Sequence, residues 1–262
     1  MAIFFALFGR LLTASGVLLR RAALGTAVLA LAFVVVQYGL EAARMSGELS
    51  GVFDSSMQGL VLQSSTAAAF AWRLAGLAIL LAGLRARSDA GALLSLLGAT
   101  LVLCSFALVG HTSSHPHRWA LSLLLLTHLA IVAFWFGALV PLSVASRRES
   151  PSAAAEITDA FSRLALSIVP VLVVAGLVLA ALILKDLSAL RTTYGQLLLV
   201  KFTGFALLMG LAALNKWYLG PALKTGDPRV GVLFRRSLGA EYALIAAVLA
   251  VTAVLTTFYS PE

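Results

Sequence analysis

Apolar runs of eighteen or more residues recur along the whole of this chain, and they restrict its fold more than any other feature. They lie at about 2–19, 22–43, 67–84, 91–110, 119–142, 164–184, 195–218 and 237–258. At 1.5 Å of rise per residue, a helix of this length crosses a hydrocarbon core of about 30 Å. The runs are continuously apolar and rich in Leu, Ala and Val, whereas barrel strands are short and alternate, so helices are the spanning element. Composition agrees: of 262 residues 61% are hydrophobic and only 11% are charged, against about a quarter charged in a soluble domain. The expected fold is an all-α membrane protein, a polytopic bundle of about eight transmembrane helices forming one integral membrane domain over 1–262. The first run carries Arg10 at its middle. It reads as a truncated helix, or as one whose start lies upstream of Met1. No small-residue cleavage site precedes a soluble region, so it is not read as a signal peptide.

A net charge of +8 raises the question of nucleic acid, and the positions of the charges answer it. Arg20, Arg21, Arg85, Arg87, Arg147, Arg148, Arg163, Lys216, Lys224, Arg229, Arg235 and Arg236 fall in alternate connections, and only Arg44, Arg118, Lys185 and Arg191 in the opposite set. The positive-inside rule makes the first set cytoplasmic. Both termini, and the loop between the fourth and fifth runs, are then expected on the outer, periplasmic face. The basic excess is a topology signal and implies no nucleic-acid partner. The single cysteine, Cys104, excludes an intramolecular disulfide and reads as a small buried hydrophobe.

The longest outer connection, Met45 to Thr66, is punctuated by Gly47, Gly51 and Gly59, and its VFDSSMQGLVL stretch has the rough apolar face of a short interfacial helix. On the inner side, PSAAAEITDAFSRLALSIV leads an amphipathic turn into the sixth run. Pro141, Pro170 and Pro221 mark kinks or ends of helices.

Chemistry concentrates in one place. All four histidines, His111, His115, His117 and His128, lie within eighteen residues at the junction of the fourth and fifth runs. Cys104 and His111 are seven apart, two turns, and share a face if the helix persists that far. His128 stands about 14 Å below Trp119 and shares a face with Trp135. The spacing fits a ladder of sites down a path, with His115 and His117 at the mouth, His111 at the entrance and His128 within the membrane. Neutral imidazole suits copper, zinc and nickel, and thioether adds selectivity for cuprous ion, so histidines beside the outer Met45 and Met57 point to copper first. Haem ligation or proton chemistry stays open on the same residues.

Polar groups inside apolar runs are the second signal. An ionisable residue at depth costs about 2.5–3.5 kcal/mol on insertion scales and needs a partner. Glu41, Arg73, Lys201 and Glu241 are in this position. Arg73 and Lys201 are close enough to an interface to snorkel, and Glu241 is within reach of Arg235, Arg236 or Lys216. Asn215, Lys216 and Pro221 read as the capped end of the seventh helix. No P-loop, aspartyl-phosphate signature, intramembrane CPC or HExxH occurs, which excludes an ATP-driven pump.

Taken in order, these residues resemble the copper resistance protein D family of bacterial inner-membrane proteins. The resemblance rests on Gly110-His111, then His128, Trp135, Gly137 and Pro141 in the pattern H-x6-W-x-G-x3-P. FSRLAL at Phe161–Leu166, YGQLLLVK at Tyr194–Lys201, the Asn215–Pro221 segment and RRSLGAE at Arg235–Glu241 continue it. It implies an eight-helix bundle in the bacterial cytoplasmic membrane that handles copper and is not an enzyme, with import toward the cytoplasm. It implies a separate periplasmic copper-binding partner of the copper resistance C type, since no fused copper-binding domain is present. His111 and His128 match the family's histidines, while His115 and His117 lie in a variable loop. The chain departs from the family in its short first helix, and in reading Phe136-Gly137 where Gly-Gly is common. The expected cargo is copper, as cuprous ion, held by His111, His128, His115 and His117, with Met57 as a further ligand. Trp135, Lys201 and Glu241 would shape the path or balance charge. Two rival readings remain: a b-type haem protein that transfers electrons, and a membrane scaffold for a periplasmic copper chaperone.

Overall fold

A computed structural model of the chain describes residues 1–86, 88–109, 118–183 and 191–258. Among these every regular element is helical. Helix α1 (Ala2–Phe8) continues as a 3₁₀ turn to Leu11. Then come α2 (Gly16–Ser46), α3 (Ser55–Gln63), α4 (Ser65–Arg85), α5 (Asp89–Cys104), α6 (Arg118–Arg148), α7 (Pro151–Ile183), α8 (Thr193–Leu214), the short α9 (Gly220–Ala222) and α10 (Pro228–Phe258). Seven of the helices are long and apolar enough to cross a membrane; the eighth apolar helix, Ala2–Leu11, is not. Its ten residues cover about 15 Å, half a hydrocarbon core.

The expected first helix over 2–19 is therefore divided. The chain leaves helical structure after Leu11 and re-enters it at Gly16. Of the four residues between, Thr13, Ala14 and Ser15 are held by a carboxylate remote in sequence: Glu149 accepts from Thr13 Oγ1 at 2.7 Å, from the amides of Ala14 (3.1 Å) and Ser15 (2.8 Å), and from the Ser15 hydroxyl. Most of the other runs extend at their ends, whereas the fourth leaves α-helical structure after Cys104. The amphipathic lead into the sixth run is continuous with it as α7, and the interfacial helix expected between the second and third runs is α3, capped by the Asp54 carboxylate.

The described chain forms two compact units, residues 1–9 with 16–130, and residues 10–15 with 131–262. In the first, α4 and α5 pack backbone to backbone. A Cβ added to Gly83 would lie 2.5 Å from the Gly91 carbonyl oxygen, and one on Gly91 2.7 Å from that of Gly83. One further heptad along each helix, a Cβ on Gly76 would meet the Gly98 carbonyl at 2.7 Å. Lipid offers no hydrophobic drive for helices to associate, so this close approach of small residues is what joins the pair. Gly83→Val is expected to lower stability by about 1–3 kcal/mol through overpacking, measured as the midpoint of thermal unfolding in detergent. An unchanged midpoint would mean that this contact does not hold α4 to α5.

In the second unit, aromatic stacking ties α6 to its neighbours. Phe134 stacks on Phe161 of α7 with ring centres 5.2 Å apart, and Phe136 on Tyr242 of α10 at 4.5 Å. Trp135 between them is thereby fixed in direction.

Candidate functional site

The polar centre of the second unit is built from three helices. Glu241 sits thirteen residues into α10, about 20 Å from its start, and is only 3% exposed. Its two carboxylate oxygens are both used. The indole N–H of Trp135 on α6 donates to Oε2 at 3.1 Å, and the side-chain amide N–H of Asn215 donates to Oε1 at 2.5 Å. Both donors are neutral. Glu241 does not pair with Arg235, Arg236 or Lys216: among the described residues it has no ion pair, and the Lys216 ammonium is given to Asp159 at 2.9 Å.

Asn215 reaches Glu241 because α8 does not end at Leu214. The helix runs on as a π turn over Asn215–Leu219, and such one-turn widenings recur at functional sites. The turn presses its backbone on the next residue, where a Cβ added to Gly220 would lie 2.8 Å from the Asn215 carbonyl oxygen. Sequence reasoning takes Asn215 as a helix cap, but it is buried at 6% exposure inside the unit. The available signal was the pairing of two polar residues, Asn215 and Glu241, each within an apolar run.

These groups stand in the wall of a cavity of about 370 Å³, otherwise mostly apolar, to which Phe161, Ser162 and Met209 also contribute. A largely apolar cavity with a few convergent polar groups is the usual form of a small-ligand site.

In the first unit, His128 lies in the third turn of α6, half-buried, seven residues before Trp135 and on the same face of the helix. His111, His115 and His117 lie outside the described residues. Among the described residues no group of three His, Cys, Asp or Glu side chains is placed to hold a metal ion. Helix α5 ends at Cys104 and passes into a 3₁₀ turn over Ser105–Leu108, so α-helical spacing does not carry from Cys104 toward residue 111. Met57 is half-buried in the first turn of α3. The Ser56 hydroxyl, with the Ser56 and Met57 amides, holds Asp54 at the head of that helix below the usual carboxylate range.

Lys201, also half-buried, is on α8 with no hydrogen bond or ion pair among the described residues. Gly204 on the next turn packs against Val248 of α10, which puts Lys201 about ten residues, or ~15 Å, from the level of Glu241. The two charges do not neutralise each other. Arg73 is buried at 8% exposure and does not snorkel. Its Nε–H donates to Ser105 Oγ at 3.0 Å, its Nη1 to Gln37 Oε1 at 3.3 Å, and its guanidinium lies over Phe106 and Phe70. Glu41 pairs with Arg44 one turn on, at 2.6 Å.

Two family descriptions match the chain: copper resistance protein D over residues 155–255, and the copper resistance protein D-like N-terminal domain over residues 1–117. Copper resistance protein D of Pseudomonas syringae pv. tomato is 31% identical over 260 residues, covering 90% of this chain and 82% of that protein. Copper transport protein CutJ of Bacillus subtilis (strain 168) is 30% identical over 165 residues, 61% of this chain and 29% of that protein. The chain thus spans less than a third of the Bacillus protein's length. No solved structure matches it.

Proposed function

This chain belongs to the copper resistance protein D family, and from that membership we propose that it carries copper across the bacterial cytoplasmic membrane, from the periplasm toward the cytoplasm. The observation that carries the reading is His128, an imidazole half-buried on a spanning helix of a chain whose relatives are named for copper resistance and copper transport. Neutral imidazole is a fitting ligand for copper, whereas the carboxylate and amide at Glu241 and Asn215 suit harder ions. Cuprous ion is collected at the outer end by His115, His117 and Met57, held at the entrance by His111 and passed inward by His128. A periplasmic copper-binding protein of the copper resistance C type supplies it. The protein moves its cargo and catalyses no reaction.

The distribution of basic residues among the connections supports an orientation. By the positive-inside rule, residues 13–15 and Glu149 are at the cytoplasmic end, while the histidine loop and the C terminus are periplasmic. The first apolar helix rises from that cytoplasmic end through about half of the hydrocarbon core.

The test is metal analysis with an absorption spectrum on detergent-purified protein loaded anaerobically with cuprous ion. Near-stoichiometric copper that disappears in a His111→Ala/His128→Ala double variant, without a Soret band, is the expected result. A Soret band lost in that variant would replace the copper path by a haem protein, and copper retained in the variant would remove the histidine site.

A further inference from the structure

A carboxylate in the middle of a spanning helix, held only by neutral donors, has to balance its charge. The charged groups on the neighbouring elements do not do this for Glu241. On the π turn, Lys216 gives its ammonium to Asp159 of α7, which Arg163 also meets. On α8, Lys201 is about 15 Å away along the helix axis. On α6, His128 stands two turns, ~10.5 Å, from Trp135, and Arg147 and Arg148 are at the far end of the helix. On α10 itself, Arg235 and Arg236 lie toward the basic end, and the adjoining Tyr242 ring is stacked on Phe136. What is left to balance the charge is a mobile cation, and the smallest is a proton.

The amide facing Glu241 is built for that exchange. While Asn215 donates its N–H to the carboxylate, its own Oδ1 is buried and has no hydrogen-bond partner among the described residues. Turning the amide by half a rotation exchanges nitrogen for oxygen in nearly the same volume. Asn215 then presents an acceptor to a protonated Glu241, whose O–H donates to Oδ1. The same pair satisfies both forms of the acid. We propose that Glu241 is a proton-exchange site in the membrane interior, and that Asn215 serves its two forms by reversing its amide.

The step is a single proton association, carboxylate to carboxyl, with no other bond made or broken. Ser237, one turn nearer the basic end of α10, is buried with a hydroxyl that also has no partner among the described residues. The site stands independently of the cargo; that it couples proton movement to copper movement rests on the copper reading.

The experiment is infrared difference spectroscopy of the purified full chain in lipid, stepped in pH between about 5 and 9, the range over which interior carboxyls exchange protons. The expected result is a protonated-carboxyl stretch that grows on acidification, is wholly lost in Glu241→Gln, shifts in frequency in Asn215→Leu and is unchanged in Asp159→Asn. A spectrum with no titrating band, or a band that Glu241→Gln retains, overturns the site. A band that does not move in Asn215→Leu overturns the role of the amide. Copper uptake into vesicles of the same protein separates the two readings. The band without copper uptake leaves the proton site standing and removes the cargo, whereas uptake without the band does the reverse.

Discussion

On the proposed copper path, cells that take up copper through this protein are expected to accumulate the metal at least tenfold less when His128 is replaced by alanine, with the variant still present in the membrane at the wild-type level. Tenfold corresponds to about 1.4 kcal/mol of lost interaction, a low figure for deleting an imidazole ligand from a site with few others. Two features of the position argue for a large effect. His128 is inside a spanning helix, where water cannot substitute for the missing ligand as it can in a loop. Its side chain is only half-buried, so its removal does not open the core as loss of Trp135 would. His111→Ala is expected to match it, while His115→Ala or His117→Ala alone is expected to leave uptake reduced but measurable, since in the proposed path the two act in parallel. Isotope accumulation in the four variants, normalised to membrane-inserted protein, decides the point. Wild-type uptake in both His111→Ala and His128→Ala would remove the histidine path altogether.

The reach of sequence reasoning differs between helices and contacts. The long helices were legible because an apolar run of the right length admits one solution in a bilayer, and the interfacial helix α3 was legible from its rough apolar face, while its Asp54 cap emerged only with the structure. The break after Leu11 was not, because LTASG carries no stop signal strong enough by itself. Its partner, Glu149, lies more than 130 residues away in sequence. Glu241 shows the same limit from the other side. Its neighbours along the chain, Arg235 and Arg236, suggest an ion pair, yet the structure gives it Trp135 and Asn215, 106 and 26 residues distant. Asn215 read as a cap because its neighbours, Lys216 and Pro221, belong to a helix end, and periodicity cannot announce a π turn. Met209 and Ser162 drew no attention as single residues in apolar runs. They acquire meaning only as parts of one cavity wall.

Glu149 carries the other large expected effect, on stability. Burial, at 9% exposure, works against its charge, but the Ser15 and Thr13 hydroxyls and the Ala14 and Ser15 amides outweigh it and hold the carboxyl down to about 2. Against an ordinary value of 4.5, that difference is worth about 3 kcal/mol of folding free energy at neutral pH. The group is depressed in the folded state, so its contribution is complete above about pH 4.5 and is lost as the pH falls toward 2. Glu149→Gln should unfold about 3 kcal/mol more easily than the wild type at pH 7, since an amide offers one acceptor oxygen where the carboxylate offers two. The gap should narrow to about 2 kcal/mol near pH 3.5, because there the wild-type protein is losing the same interaction. Proteolysis should report the loss locally, with cleavage first appearing in the Thr13–Ser15 segment that the carboxylate holds. Thermal unfolding in detergent at the two pH values measures the energy. A Glu149→Gln midpoint equal to wild type at pH 7 would mean that the chain turns after Leu11 without help from this carboxylate, and a gap independent of pH would mean that the glutamine acts through shape rather than charge.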